Sequence, residues 1–336
     1  MTSPTLAERP IPGSSTQPLP KAPRRPETPL RRFGIPLALL LVTLCSTTAV
    51  GMRYMHNFRL HAAPYSGEAD ILPYDWVFAH LRDWPSGLPF SLTLVGILLA
   101  HEFGHYFACR LYQVRATLPW LLPAPSLSGT FGAVIRLRTG IRTRAALLVI
   151  GAAGPIFGFL VAIATISIGI AHSTYAPAGV MHVQPTLLIF ALQSLLHPQT
   201  PLALIVPHPI LTASWIGILI TALNLIPAGQ LDGGHIVYAI SPAAHRICSR
   251  IVVAALFVLG IFCWGGWLIW AIVLLLPAMR HPRIPDSLPL TRAQLALVPI
   301  CAVIFILCLT YQPFHGYSIV DGLNKLFAHY HYRIHL

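Results

Sequence analysis

Two histidines four residues apart, with a glutamate between them, lie inside the apolar run Leu88–Leu111: His101-Glu102-Phe103-Gly104-His105. On a helix, positions four apart share a face one turn above the other, so both imidazoles reach one metal ion. Glu102 is rotated by about 100° from His101 and lies beside the ion without having to bind it. This is the H-E-x-x-H arrangement, two zinc ligands with a general base between them. A carboxylate and two imidazoles in hydrocarbon are costly and call for a functional role. The other reading of the same residues is a polar patch facing a water-filled cavity or a neighbouring helix.

The chain has ten Asp and Glu residues. Eight fall in the N-terminal tail or in connecting segments, and only Glu102 and Asp232 have apolar surroundings. Two histidines leave a catalytic zinc one protein ligand short, because such sites use three and keep the fourth position for water. Asp232 is the expected third ligand, with His235 as the competing donor. Asp232 sits in Ala222-Leu223-Asn224-Leu225-Ile226-Pro227-Ala228-Gly229-Gln230-Leu231-Asp232-Gly233-Gly234-His235. Asn, Pro and three Gly break the helix there, and broken backbone at membrane depth is tolerated where it lines a cavity or is covered by protein. The glycines let the chain approach another group closely. Asn224 either donates a hydrogen bond to a substrate or ties two helices together. With one Zn2+ in place, bound water falls from a pKa of about 15.7 toward roughly 7, Glu102 takes its proton, and a peptide carbonyl is attacked.

The elements that must hold these residues are membrane helices. The chain has 336 residues, is 55% hydrophobic and 10% charged, against about a quarter charged in a soluble domain. With several apolar runs near 20 residues, this predicts an all-α polytopic membrane protein of about six transmembrane helices. The spans are expected over 33–52, 88–112, 145–171, from 210 to the break at Asn224, 251–276 and 295–309. The net charge of +12 flanks the apolar runs rather than forming one recognition face. That points to topology and lipid headgroups rather than a nucleic-acid partner. Arg24, Arg25, Arg31 and Arg32 put the N-terminus in the cytoplasm. The expected inside segments carry 15 Lys and Arg, and the outside loops carry six: Arg53, Arg59, Arg82, Arg280, Arg283 and Arg292. None of the six cysteines forms C-x-x-C, which argues against a Cys-ligated zinc site. The organisation expected is a Pro- and Arg-rich disordered tail over 1–32, a membrane-embedded metalloprotease domain over 33–311, and an interfacial or disordered segment over 312–336.

Three connecting features bear on the site. Residues 129–138 read as a half-buried strand in which Phe131, Ala133, Ile135 and Leu137 alternate with Val134, Arg136 and Arg138. Such a small β element near the active site either binds an unfolded substrate along its edge, with Phe131 and Gly132 as contact residues, or caps the bundle. Gly151, Gly154 and Gly158 on the third helix permit close helix packing, or leave room beside the metal. Residues 172–209 carry histidines whose spacing matches no ligand pattern, so a short interfacial helix over 186–196 is expected there.

The two motifs together resemble the site-2 protease family of intramembrane zinc metalloproteases, in its bacterial and plastid-type branch. His101-Glu102-Phe103-Gly104-His105 is similar to the family's first motif, and Asn224-Leu225-Ile226-Pro227 continuing to Leu231-Asp232-Gly233-Gly234 is similar to its second. Gly129-Thr130-Phe131-Gly132-Ala133-Val134-Ile135-Arg136 and Gly151-Ala152-Ala153-Gly154-Pro155 also resemble members of that branch. The resemblance implies Glu102 as catalytic base, and His101, His105 and Asp232 as ligands of one zinc ion. It also implies a membrane-spanning protein as substrate, and the lipid bilayer, expected to be a bacterial cytoplasmic membrane, as surroundings. The alternatives are an ion or metal transporter using the same side chains as a path, and a catalytically silent scaffold. Oligomeric state is not legible in the sequence.

Overall fold

Four apolar stretches fold into helices long enough to cross a bilayer: Arg32–Arg59, Leu81–Leu111, Arg144–His172 and Pro242–Phe262. The coordinates are a computed structural model. They describe residues 29–65, 70, 72–125, 127–176, 184–284, 286, 288–314, 317–322 and 324. Nearly all of the tail expected over 1–32, and most of the segment expected over 312–336, lie outside the described residues.

The helices in order are α1 (Ile35–Arg59), α2 (Tyr74–Ala79), α3 (Leu88–Leu111), α4 (Arg144–His172), α5 (Leu187–Leu196), α6 (Pro209–Asn224), α7 (Asp232–Ile240), α8 (Pro242–Phe262), α9 (Gly266–Leu275), α10 (Arg292–Leu295) and α11 (Leu297–Cys308). Two small antiparallel sheets join them: β1 (Trp120–Pro123) with β2 (Thr130–Val134), and β3 (Thr174–Tyr175) with β4 (Ile205–Val206). The short helix expected over 186–196 is α5, whose first turn is capped by the Thr186 hydroxyl accepting from the Ile189 N–H.

The core is formed where α3, α4 and α6 meet. Small residues permit it: a Cβ on Gly217 of α6 would lie 2.9 Å from Ile97, and one on Gly169 of α4 would lie 2.6 Å from the Leu211 nitrogen. Phe90, Leu94, Ile97, Leu148, Ala152, Ile166, Ala213 and Ile218 fill the interior. α1 packs outside α3. Its Thr47 hydroxyl shares a 2.6 Å hydrogen bond with that of Ser91.

Two features depart from the expected layout. The apolar run over 251–276 is not one span. It folds back at Trp264-Gly265, so α8 and α9 form a hairpin whose arms both reach Gly229. The Ser249 hydroxyl accepts from the Gly229 N–H at 3.3 Å, and a Cβ on Gly229 would lie 3.0 Å from Leu274. The physical reason is the Trp-Gly-Gly turn, where the Gly265 N–H donates to the Tyr317 carbonyl instead of continuing a helix.

The hairpin returns the chain beyond α9 to the end of the bundle from which α8 starts. Asp286 accepts from the Arg144 N–H at 2.9 Å, and Gln294 lies 3.4 Å from the Tyr112 hydroxyl. Asp286 and Gln294 therefore lie at the end of the bundle that holds the start of α4 and the close of α3, not at the opposite end. Arg280, Arg283 and Arg292 join the basic end and sharpen the charge asymmetry. α11 leaves that end and reaches the other, where the Thr310 hydroxyl donates to Gln184 at 2.8 Å.

Candidate metal centre

His101, Glu102 and His105 are all buried on α3, at 3%, 5% and 7% exposure. Each offers one ligand atom within 4.8 Å of the others. Asp232 is the first residue of α7. Its Oδ2 lies 3.1 Å from His101 Nε2 and 3.3 Å from His105 Nε2. Two imidazole nitrogens and a carboxylate oxygen thus converge on one point, although His101 and Asp232 are 131 residues apart in the chain.

The backbone explains how Asp232 arrives there. α6 ends at Asn224, and the chain doubles back through Gly229, which takes φ +59°. A Cβ on Gly233 would collide with the Leu225 carbonyl, and one on Gly234 would lie 2.6 Å from the Ala228 oxygen. A side chain at either position would push the loop off the helix start and move the carboxylate. At the N-terminus of α7 the carboxylate also meets the positive end of the helix dipole.

The histidines are set by α4. His105 Nδ1–H donates to the Ile150 carbonyl at 2.7 Å, which fixes the tautomer and leaves the Nε2 lone pair facing Asp232. A Cβ on Gly154 would collide with the His105 ring, one on Gly158 would lie 3.2 Å from His101, and one on Gly151 would lie 3.3 Å from the Asp232 carbonyl oxygen. Both readings of this glycine series hold at once. The helices pack closely, and each glycine makes room for a residue of the centre.

This donor set suits zinc. Two neutral imidazoles and a carboxylate form an N2O set of the kind catalytic zinc uses. The Nε2 atoms of both rings face Asp232 Oδ2, and one ring is held by its other nitrogen.

The expected supporting residues divide. Asn224 is at the site, with Nδ2 3.4 Å from His101 Nε2. His235 is not: its Nδ1 lies 3.0 Å from His281. The strand expected over 129–138 forms only in part, as β2, with an isolated bridge from Leu137 to Ala116 beyond it. Its alternation breaks at Phe131. Leu122 pairs with Gly132 and Pro123 with Thr130, so Phe131 is the extra residue of a β-bulge and stands 74% exposed. Gly132 takes φ +106° beside it, with nothing near where a Cβ would point.

Just past β2, the backbone of Ile135 lies against the Glu102 carboxylate. Neither that contact nor the Ile150 carbonyl carried a signal in the sequence, because backbone groups at apolar positions leave no mark in residue types. The two-stranded sheet packs against α1. The Ser46 hydroxyl donates to the Gly129 carbonyl at 2.6 Å, and the Tyr54 hydroxyl donates to that of Leu127 at 2.6 Å. β2 has no second neighbour among the described residues.

A sequence model of peptidase family M50 matches residues 89–264, just over half of the chain. The chain belongs to peptidase family M50. The matched region contains His101, Glu102, His105, Asn224 and Asp232. The chain is 29% identical over 260 residues to the probable chloroplastic zinc metalloprotease EGY2 of Oryza sativa subsp. indica, covering 73% of this chain and 46% of the relative. It is 28% identical over 225 residues to the probable chloroplastic zinc metalloprotease EGY1 of Arabidopsis thaliana, covering 62% and 40%. It therefore spans under half the length of these curated relatives. Family M50 is the peptidase family of the site-2 proteases, and the plastid relatives agree with the plastid-type resemblance.

Proposed function

We propose that this chain is an intramembrane zinc metalloprotease that hydrolyses peptide bonds of membrane-spanning proteins. One observation carries the reading. Asp232 Oδ2 lies within 3.3 Å of both His101 and His105 Nε2, with Glu102 beside them. His101, His105 and Asp232 would hold one zinc ion, which when bound acidifies water and polarises a carbonyl. Glu102 accepts the proton of the attacking water and returns it to the amine nitrogen as the peptide bond breaks. Asn224 donates its amide hydrogen to the substrate carbonyl oxygen.

A helix hides its peptide bonds in its own hydrogen bonds, so the substrate must be extended locally. The edge of β2 that has no strand neighbour among the described residues is the surface that would hold it by strand addition. Phe131 is the bulged residue of that strand and Gly132 follows it. The backbone of Ile135, just past the strand, lies against Glu102 and brings β2 beside the base.

In the bilayer, the expected six crossings become four long spans completed by the shorter passes of α6 with α7, α9 and α11. The relatives are named as chloroplastic, which lends nothing to a bacterial inner membrane. Residence in a membrane rests on the apolar helices. Family membership favours hydrolysis over the ion-path and scaffold readings.

The test is Glu102→Gln, with zinc content and cleavage of a membrane substrate measured on the same preparation. Zinc retained with cleavage lost supports the reading, and retained cleavage removes Glu102 from it. Comparing the membrane proteomes of cells carrying each form identifies the substrate as the protein that accumulates with the variant.

A further inference from the structure

His235, left out of the metal centre, has a partner of its own. Its Nδ1 lies 3.0 Å from His281 Nε2, with the ring centroids 5.1 Å apart and the planes at 80°. The other nitrogen of His281 is occupied, since its Nδ1–H donates to the Pro282 carbonyl at 2.8 Å. That fixes the tautomer, so the Nε2 lone pair of His281 points at His235. The His281 ring is held flat on Tyr238, at 3.7 Å between centroids and 13° between planes. The Tyr238 hydroxyl in turn accepts from the Ile284 N–H at 3.4 Å. Burial holds the His281 imidazole below its ordinary value, so the neutral ring prevails at neutral pH. On the α7 side, Gly151 lets the helix carrying His235 come close, since a Cβ there would lie 3.1 Å from the His235 Cβ. A third imidazole, His245, is nearby but engaged with the Gly229 carbonyl at 2.9 Å.

We propose that His235 and His281 form a second metal site, for a borderline transition ion such as Zn2+, between α7 and residues 281–284. Two imidazole nitrogens on one tetrahedral zinc sit roughly 3.3 Å apart, so the pair needs to open by only a few tenths of an ångström. The His281 ring is oriented by contacts that leave its facing nitrogen free, as second-shell partners do for metal ligands, and His235 Nδ1 faces it. Both residues are only half-buried, and water completes the coordination. The ion takes the place of the single proton that the facing nitrogens otherwise share. It thereby staples residues 281–284 to the helix that begins with Asp232. The site does not depend on the protease reading.

The full chain, purified in detergent and dialysed against micromolar free Zn2+, is assayed for bound zinc by elemental analysis. His281→Gln is expected to hold one ion per chain fewer than wild type. The His101→Ala, His105→Ala double variant loses a different ion, and combining all three changes loses both. His281→Cys, which supplies a zinc-binding thiolate, restores the ion, which a purely structural ring would not allow. Where His281→Gln fails to fold, His235→Asn leaves the Tyr238 stack in place and must lose the same ion. Equal zinc in wild type and either single variant means a hydrogen-bonded pair only, and overturns the proposal.

Discussion

Gly154→Ala tests how the metal centre is set. The new methyl group would land on the His105 ring, against Nε2, Cε1 and Cδ2 together. Non-bonded carbons need roughly 3.5 Å or more, so the ring or α4 must move by more than about 1 Å. The ring cannot swing freely, because its Nδ1–H is held by the Ile150 carbonyl at 2.7 Å. Losing such a partner lowers metal affinity about 10- to 100-fold, and a displacement near 1 Å lowers turnover by about 100-fold. Zinc affinity is therefore expected to fall about 10- to 100-fold, measured by competition with a chromogenic chelator in detergent. Cleavage of a reconstituted membrane substrate should fall by at least as much. Gly96→Ala, in the same helix as the histidines but with nothing near the new Cβ, is the control. It should keep its zinc and gain up to about 1 kcal/mol of helix stability. A Gly154→Ala protein that binds zinc as tightly as wild type would refute the view that α4 positions His105.

Proline at Ala133 or Val134 should cut cleavage by about tenfold or more, by removing strand geometry beside Glu102, while zinc content is unchanged. Unchanged cleavage would exclude β2 from substrate binding. Arg144→Met removes the guanidinium that donates to the Ala239 and Ile240 carbonyls at the end of α7. It should cost about 2 kcal/mol, seen as a lower melting temperature and faster amide exchange over 232–240. His208 is held down at about 4, first by burial and then by His172, against about 6.5 in an unfolded chain. Between those values the unfolded state binds the extra proton, so stability is full above about 6.5 and is lost as pH falls toward 4. The melting temperature in detergent should drop from pH 7 to pH 5, and His208→Asn should flatten that drop.

The centre was legible because its residues are exceptions. Imidazoles at helical spacing and two carboxylates in hydrocarbon stand out against apolar neighbours, and the broken backbone around Asp232 marks a place where side chains had to be small. The β2 bulge was hidden, because alternation assumes one residue per step and Gly132 with its positive φ lets Phe131 be skipped. The α8–α9 hairpin was hidden for a different reason. An unbroken apolar run reads as one span, and the only sign of a turn is Trp264-Gly265-Gly266, which a packed helix also tolerates. That one missed turn changed the end of the bundle to which the chain returns after α9. The His235–His281 pair depends on the same turn, since it forms only when residue 281 returns to the basic end.

α4 supplies no ligand, yet it acts as the gauge of the whole centre. Gly151, Gly154 and Gly158 sit on one side of it and receive α7, His105 and His101 respectively. Adding a single residue to α4 between Arg144 and Gly151 would rotate that row by about 100° and present bulky side chains to all three. A deletion there would do the same in the other direction. Length changes are thus forbidden in a helix with no reactive group, and the gap between the two ligand-bearing motifs can vary only in its loops.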